Sequence, residues 1–476
     1  MARTDIKELD LFIENKMKAL KMPGLTVAIR GPEGVIFEKG YGVRDREMSV
    51  APDENTICGI ASMGKSMAGL ACAILAAEGR LSLEDPVFKY IPDFHIPGNP
   101  DSDVTVRSLL THTAGIPPME PLEWSIAMNT PGDHSEWAEK MRATSPNQMD
   151  RIEQIVEYIA NCPYETLGAP GEIMSYSNEG YAVICYVVDA ASGMPIEKFL
   201  DERVFKPIGM TRSVLDEDAK RAREIASDGN ITSLFEKEDG KLVSDDDWSV
   251  LPPFRACACV KSTAHDMARY YHCLANKGMI DGIQAIPAEA VEIMIGEDFP
   301  TQEKEYYCLG LEKRLYEGHV ILAHSGGLHG VSSEGALLKD EGYGFAALCN
   351  EGDNDASEII SAMLNYIMEK PLDNDLSWLH QTGEDYEQPD ELTGRYICHE
   401  GIPAIAEFYT ENGMLKVDRD GEKYDLANCG GTWFRILKEG RPVGRCHFHI
   451  RDGKAWGVQI YTRVYRRMEE KDERGQ

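Results

Sequence analysis

The chain has few cationic residues for its length and no long apolar run. Its 476 residues include 49 lysines and arginines against 80 aspartates and glutamates, for a formal net charge of −31. Such an anionic surface argues against nucleic acid or an anionic membrane as partner. No uninterrupted apolar run approaches the ~20 residues that span a bilayer, and residues 1–10 lack the basic-then-apolar pattern of a secretory signal. We therefore expect a soluble, cytoplasmic protein.

Paired cysteine motifs are also missing, although the chain has 12 cysteines. They are scattered, and several fall within apolar helical or strand-like segments, which is typical of free core thiols in a reducing compartment. Cys257 with Cys259, and Cys446 with His449, could be imagined as metal ligands. Neither has a partner pair at zinc-type spacing, so structural use is favoured. The sequence thus predicts no metal site, and no motif in it indicates a cofactor.

A Ser-x-x-Lys pattern, Ser62 to Lys65, stands at the start of an apolar helical segment. Leu70 and Ile74 follow at one-face helical spacing, and Gly79 is the predicted stop. Three residues are nearly one helical turn, so the lysine amine and the serine hydroxyl can face each other. The amine could accept the serine proton only when neutral, which requires burial or a cationic neighbour. In isolation the pattern is weak, and a capped helix with a solvated lysine is the favoured interpretation.

A second motif places Tyr176 and Asn178 just before another helical pattern, which should stop at Gly193. In an extended lead-in, residues two apart project to the same side, so both side chains could enter one cleft. A tyrosine beside an ammonium can shuttle protons, and a carboxamide can hold a substrate carbonyl or orient the lysine. The alternative is a core tyrosine followed by a turn-forming Ser-Asn pair.

A third motif contains His324, Gly326 and Gly327, after the apolar run 320–322 and before a strand-like segment at 342–348. Glycines at a strand edge let backbone N–H groups come close to a ligand, as an oxyanion hole requires. The alternative is a glycine-rich hairpin with a structural histidine.

Together, the three motifs and their order carry a resemblance to a known family. The chain resembles the serine β-lactamase and penicillin-binding-protein superfamily, in the branch with class C β-lactamases, D-aminopeptidases and family VIII esterases. The family's Ser-x-x-Lys matches residues 62–65, its Tyr-x-Asn residues 176–178, and its Lys-Thr-Gly or His-x-Gly residues 324–326. Further similar stretches include residues 81–86, 104–116 and 207–210, so the likeness covers about residues 8–368.

The resemblance implies a role for each matched residue. Ser62 would be the acylated nucleophile, with Lys65 and Tyr176 sharing general acid–base work. Asn178 would contact the amide on the acyl side of a small-molecule or short-peptide substrate. The backbone N–H groups of Ser62 and Gly327 would form the oxyanion hole. The implied activity is that of a serine hydrolase acting through an acyl-enzyme on a small amide, D-amino-acid peptide or ester.

The third motif departs from penicillin-recognising enzymes, which have a lysine where this chain has His324. A largely neutral histidine should bind a substrate carboxylate weakly, so peptidase, amidase or esterase activity is expected rather than β-lactamase activity. Gly326 belongs to the same substrate-binding edge, whereas His112 is interpreted as a packing or capping residue without chemistry. An acyltransferase using the same acyl-enzyme remains an alternative, and so does a non-catalytic ligand sensor on the same fold.

Strand and helix patterns predict an α+β fold over residues 1–370. An opening pair of strands and a late group near residues 306–349 should form a β-lactamase-like antiparallel sheet, flanked by helices and with a helical subdomain inserted. The polar excursion from Glu120 to Asp150 is interpreted as a long loop.

The C-terminal part should be a separate domain. Turn-rich residues 371–391 have the composition of a linker, and residues 392–468 contain short alternating runs typical of a small all-β barrel. The barrel resembles the lipocalin-like domain appended to some D-aminopeptidases, and residues 469–476 form a tail expected to be mobile. A docked lid or an oligomer contact is favoured for the barrel over a ligand cavity, and a homo-oligomer is reasonable.

Overall fold

The structure is a computed structural model that describes residues 5–130, 133–216, 218–238, 241–245, 248–296, 299–302, 304–352, 354–376, 384 and 386–469. The predicted tail beyond residue 469, and residues 377–383 and 385 of the predicted linker, lie outside the described residues. The domain boundaries stay a prediction. Among the helices of these ranges, none combines the length and apolar character needed to cross a bilayer.

The helices are concentrated before residue 300. In the described ranges they are α1 (Ile6–Leu20), α2 (Gly64–Ala77), α3 (Val106–Leu110), α4 (Pro121–Asn129), α5 (Glu136–Thr144), α6 (Ile152–Ala160), α7 (Asn178–Ser192), α8 (Ile196–Leu200), α9 (Lys206–Ile208), α10 (Lys220–Ile225), α11 (Arg255–Ala258), α12 (Ala264–Ala275), α13 (Ala288–Gly296) and α14 (Ser357–Ile367).

The strands fall into two groups. Those before residue 350 are β1 (Gly24–Gly31), β2 (Gly34–Gly42), β3 (Cys58–Gly59), β4 (Val214–Leu215), β5 (Leu234–Glu238), β6 (Lys241–Asp245), β7 (Val260–Ser262), β8 (Met279–Ile280), β9 (Ile283–Gln284), β10 (Phe299–Gln302), β11 (Glu305–Tyr307), β12 (Glu312–Tyr316), β13 (His319–Leu328), β14 (Val331–Leu338) and β15 (Tyr343–Cys349). Those after it are β16 (Gly394–Cys398), β17 (Ala404–Glu411), β18 (Met414–Arg419), β19 (Glu422–Asn428), β20 (Trp433–Lys438), β21 (Arg441–Arg451), β22 (Lys454–Ile460) and β23 (Arg463–Arg467).

The main sheet joins the two ends of the first group of strands. Within the described residues it has eight strands in the order β10-β11-β12-β13-β14-β15-β1-β2. The early strand β1 pairs antiparallel with the late strand β15, with Val27 opposite Ala347. One sheet therefore contains strands from before and after the helical region of the sequence, which confirms the predicted α+β architecture.

Helices cover both faces of this sheet. On one face, Leu9 of α1 and Ile359 of α14 belong to the same apolar cluster as Phe345 of β15. On the other face α12 approaches so closely that a Cβ on Gly344 would lie 2.2 Å from the backbone nitrogen of His272. Glycine at that position is required by the close contact of helix and strand.

The helical region is built around α2, which is buried from Gly64 to Leu75. An almost uniformly apolar helix of this kind belongs in a core, and α7 is similarly buried beside it. Gly79 has φ +68 just after α2, and Gly193 has φ +70 and caps α7. Both predicted stops are confirmed, because glycine adopts the left-handed conformation without a steric penalty.

The interpretation of residues 120–150 as a long loop is wrong. Two helices, α4 and α5, lie in this stretch. Pro121 begins α4, and the Ser135 hydroxyl caps α5 by accepting a hydrogen bond from the Ala138 N–H at 3.2 Å. Buried Ala138 and Met141 anchor α5, so the acidic composition reflects a solvated helix face.

The second group of strands forms a closed antiparallel barrel, β16 to β23 in order, which confirms the all-β C-terminal prediction. The first and last strands close it, with Ile397 opposite Arg466. Buried aromatic residues pack within it, and the ring centroids of Phe408 and Phe448 lie 4.8 Å apart in an edge-to-face arrangement. An eight-stranded barrel is just wide enough for such side chains to occupy its interior.

Candidate active site

Ser62 lies on a 3₁₀ turn, Ala61–Met63, between β3 and α2. The sequence predicts Ser62 at a helix N-terminus, and the turn on which it lies leads directly into α2. Ala61 has φ +43, an uncommon conformation for a residue with a side chain. The preceding Ile60 anchors the turn by donating its N–H to the Val260 carbonyl at 3.2 Å. Such local strain is maintained only where surrounding structure holds it, as at many functional sites.

Lys65 is completely buried, and its amine contacts three acceptors. Nζ lies 3.0 Å from Ser62 Oγ, 2.9 Å from Asn178 Oδ1 and 3.2 Å from the Cys257 carbonyl oxygen. As an ammonium the group would donate to all three acceptors, whereas as a neutral amine it would donate to Asn178 and Cys257 and offer its lone pair to the Ser62 hydroxyl. In either form the lysine joins the first motif to the second.

The second motif spans a helix start rather than one extended segment. Asn178 is the first residue of α7, and the Ser177 hydroxyl caps the helix by accepting from the Gly180 N–H at 3.0 Å. Tyr176 precedes the cap, and the centre of its ring lies 4.9 Å from Lys65 Nζ. Both side chains still lie against Lys65, as the sequence predicts.

The third motif lies in β13 beside the nucleophile turn. A Cβ on Gly326 would lie 2.2 Å from the Ile60 carbonyl oxygen, so only glycine permits the observed approach. Ser333 of β14, opposite Gly326, donates its hydroxyl hydrogen to the same carbonyl at 2.9 Å. The next residue, Gly327, has open space where its Cβ would point.

A chain of hydrogen bonds links His324 to the second motif through His112 and Tyr307. The Ser177 N–H donates to His112 Nδ1 at 3.0 Å, so the His112 proton is on Nε2, which lies 3.0 Å from Tyr307 Oη. Tyr307 in turn lies 3.2 Å from His324 Nε2. His324 Nδ1 lies 2.6 Å from the carbonyl oxygen of Ser325 and therefore carries a proton. With these partners each group donates one hydrogen to the next, beginning at the Ser177 N–H and ending at the Ser325 carbonyl oxygen.

The two histidines that take part in these hydrogen bonds, His112 and His324, are neutral. Burial, with a further contribution from the Lys65 charge, lowers the pKa of His324 to about 4. The same two causes hold the pKa of His112 well below its ordinary value. Each ring keeps one donor and one acceptor nitrogen, which the chain of hydrogen bonds requires. The third motif therefore presents no positive charge from His324 at neutral pH, as its residue type indicated.

Two barrel residues reach the second motif. Glu400 Oε1 accepts a hydrogen bond from Asn178 Nδ2 at 3.1 Å. Arg463 donates to the same carboxylate from Nε and Nη2, each at 2.7 Å. The guanidinium carbon of Arg463 also lies 4.3 Å from the centre of the Tyr176 ring. The barrel thus contributes side chains next to the predicted site residues.

Further contacts hold the barrel against the rest of the chain. The ring of His399 stacks on Tyr164 with centroids 3.9 Å apart, and Arg466 forms an ion pair with Glu165 at the rim. A small cavity of about 10 Å³, with room for about one water molecule, lies along this boundary, and Tyr307 and Arg445 are among its lining residues.

The structure brings together the residues that the three motifs contain. Sequence reasoning missed other residues around them: His112, Tyr307, Glu400, Arg463 and the carbonyl of Cys257. His112 had one available signal, because it lies within residues 104–116, which carry part of the family resemblance. The barrel residues had none, since nothing in an alternating strand pattern indicates which residues contact another part of the chain.

Comparison with known proteins adds a family match. A family model described as Beta-lactamase matches residues 9–365. Protein flp of Staphylococcus aureus (strain MRSA252) is 27% identical over 221 residues, which are 46% of this chain and 40% of that protein. The chain thus spans well under half the length of this curated relative.

Solved structures match over more of the chain. The octameric penicillin-binding protein homologue from Pyrococcus abyssi has a TM-score of 0.68 and 23% identity, covering 97% of this chain and 99% of that one. The D-amino acid amidase from Ochrobactrum anthropi SV3, complexed with L-phenylalanine amide, has a TM-score of 0.61 and 20% identity, covering 77% and 99%. At these identities the likeness establishes the fold.

Proposed function

The chain belongs to the beta-lactamase family, and on that premise we propose that it is a serine hydrolase that forms an acyl-enzyme on Ser62. One observation carries the proposal: the buried Lys65 amine contacts both Ser62 Oγ and Asn178 Oδ1. A lysine completely removed from water, with one contact to a partly exposed serine, has the arrangement of an activated nucleophile.

In the proposed reaction, Ser62 Oγ attacks a substrate carbonyl carbon. A bond forms between Oγ and that carbon, and the bond from the carbon to the leaving nitrogen or oxygen breaks. Lys65, reacting as the neutral amine, takes the serine proton, and Lys65 and Tyr176 together deliver it to the leaving group. The backbone N–H groups of Ser62 and Gly327 stabilise the oxyanion of the tetrahedral intermediate. Water then attacks the ester carbon, releases the acid and restores the Ser62 hydroxyl.

We propose a small amide, D-amino-acid peptide or ester as the substrate. The neutral His324 supports this class, because a neutral ring adds no charge attraction for a substrate carboxylate at the sheet edge. The structural likeness to a D-amino acid amidase supports an amide of a D-amino acid as the first compound to test. Asn178 would hold the acyl-side carbonyl or amide with its carboxamide.

The experiment is a matched hydrolysis panel with Ser62→Ala as the control. It contains D- and L-alanyl p-nitroanilides, p-nitrophenyl acetate and a chromogenic cephalosporin. Turnover of the D-amide that is lost in the variant supports an amidase or peptidase, whereas Ser62-dependent turnover of the ester alone supports an esterase. No Ser62-dependent turnover of any compound would count against the proposal. Adding an alcohol or amine acceptor and measuring transfer products separates hydrolysis from the acyltransferase alternative.

We also propose that the chain forms a homo-oligomer and divides into a hydrolase domain, residues 1–370, a linker, residues 371–391, and the barrel, residues 392–468. The likeness to an octameric homologue over 97% of this chain supports an oligomer. Light scattering on the eluting protein measures the mass of the assembly directly, and a monomer at micromolar concentration would contradict the proposal. Limited proteolysis should cut first between residues 371 and 391.

A further inference from the structure

We infer that Glu400 of the barrel is a positioning residue of the acyl-transfer site, held by Arg463 and acting through Asn178. This inference rests on the proposed function. The inference goes beyond that function, because it assigns to the barrel a part in orienting Lys65 and Ser62. A continuous path supports it: Arg463 to Glu400, Glu400 to Asn178, Asn178 to Lys65, and Lys65 to Ser62.

Both ends of the Asn178 carboxamide are hydrogen-bonded. Its Nδ2 donates to Glu400 at 3.1 Å, and its Oδ1 accepts from Lys65 at 2.9 Å. An ionised carboxylate only accepts hydrogen bonds, so Glu400 requires the amide nitrogen to face it. The carboxamide oxygen must then face Lys65. With no acceptor at Glu400, the amide could rotate and present its NH₂ group to the lysine ammonium, which would break the contact.

Arg463 holds the Glu400 carboxylate in place. Arg463 grips it with two hydrogen bonds of 2.7 Å, the bidentate geometry that suits a guanidinium and a carboxylate. About a quarter of each side chain is exposed, 24% for Arg463 and 23% for Glu400, so solvent screens the pair only in part. Burial acts against the arginine charge, but the carboxylate keeps the pKa of Arg463 above its ordinary value.

Two hydrogen bonds hold the barrel in position beside the second motif. The Tyr176 N–H donates to the Thr462 carbonyl at 2.8 Å, and the Val464 N–H donates to Ser175 Oγ at 3.3 Å. The start of β23 is thus attached to the second motif on both sides of Arg463. These bonds do not involve the Glu400 carboxylate, so a variant at Glu400 should leave the barrel docked while it releases Asn178.

The test compares full-length wild-type protein with Glu400→Gln, a change of similar size that removes the charge and can offer an N–H to Asn178. With p-nitrophenyl acetate and D-alanyl p-nitroanilide, we expect kcat to fall roughly 10- to 100-fold, the loss typical of one charge-assisted hydrogen bond. We expect only a smaller rise in KM, because Glu400 does not itself touch the substrate but Asn178, which it orients, does. A raised KM with unchanged kcat, or wild-type values for both, would overturn the inference.

Arg466→Gln is the matched control. It removes an exposed barrel ion pair with Glu165 and lies away from Asn178, so kcat should stay within about twofold of wild type. An equal fall of kcat in Arg466→Gln and Glu400→Gln would mean that any weakening of the barrel contact lowers activity, which overturns a specific role for Glu400. Thermal unfolding of each variant verifies that it is folded.

A double variant, Glu400→Gln/Arg463→Met, removes both charges of the ion pair. Recovery of kcat in this variant would show that Glu400→Gln lowers kcat only because it leaves the Arg463 charge unpaired, which would overturn the inference.

A variant at Asn178 tests the route from Glu400 to Lys65. In an Asn178→Ala background, Glu400→Gln should have almost no additional effect on kcat, since the two residues act in series. A full additional loss there would contradict the inference. Absence of Ser62-dependent turnover in the wild type would remove the proposed function and this inference together.

Discussion

Gly326 and the Ile60 carbonyl lie so close that a Cβ on the glycine would be 2.2 Å from the carbonyl oxygen. This contact presses the sheet edge against the turn that presents Ser62. Gly326→Ala must therefore separate the two, and we expect a loss of stability of about 1–3 kcal/mol together with a fall in activity. Urea unfolding and the hydrolysis panel measure the two effects.

Gly327→Ala is the matched control for stability, because a Cβ there meets no atom within 4 Å. Its midpoint of unfolding should equal that of the wild type. Equal stability losses in the two variants would show that the glycines act through chain flexibility rather than through the Ile60 contact.

Lys65→Met replaces the buried amine with an apolar side chain of similar length. The substitution leaves the Asn178 oxygen and the Cys257 carbonyl without their donor and removes a proton carrier beside Ser62. We expect acylation to slow by about 10²–10⁴-fold, the range typical of a lost general acid or base. Intact-protein mass spectrometry after mixing with p-nitrophenyl acetate follows the acyl adduct, and circular dichroism reports the fold. Wild-type acylation in the folded variant would remove Lys65 from the proposed mechanism.

Tyr176→Phe keeps the ring between the two cations and removes only the hydroxyl. The ring contacts with Lys65 and Arg463 should persist, so we expect the thermal midpoint to stay within a few degrees of wild type. Acylation should slow by at least about 10²-fold if the phenol carries the proton. The same mass-spectrometric assay checks this, and an unchanged rate would leave Lys65 as the sole proton carrier.

Stability should fall in mild acid because of His324. Its pKa is lowered from an ordinary value of 6.5 to about 4 in the folded protein. Between these values the unfolded chain binds a proton that the folded chain excludes, so the free energy of unfolding decreases as pH falls from about 6.5 to about 4. Buried His112 contributes in the same direction. Urea unfolding at pH 7 and pH 5 measures the decrease, which we expect to be of order 1–3 kcal/mol.

His324→Gln provides the comparison for this pH dependence. Glutamine retains a donor and an acceptor but has no titrating group, so the decrease in stability between pH 7 and pH 5 should become smaller. An identical decrease in both proteins would show that other groups cause the acid sensitivity.

Much of the fold was predictable because it follows local periodicity. The apolar spacing after Gly64 indicated α2, and the short alternating runs after residue 391 indicated the barrel that the structure confirms. The loop assigned to residues 120–150 was wrong because acidic composition hid two short helices, of which only α5 is amphipathic. Their buried residues are few, so the apolar pattern was weaker than the polar one.

The sequence alone determined the elements that carry the motifs: three residues from Ser62 to Lys65 span nearly one helical turn, and a glycine follows α2 and α7 at each stop. Tertiary structure alone decided that Asn178 meets Glu400, 222 residues further along the chain. It likewise decided that His112 contacts Tyr307. The physical reason is that local backbone preferences act over a few residues, whereas contacts between distant side chains depend on how entire surfaces pack.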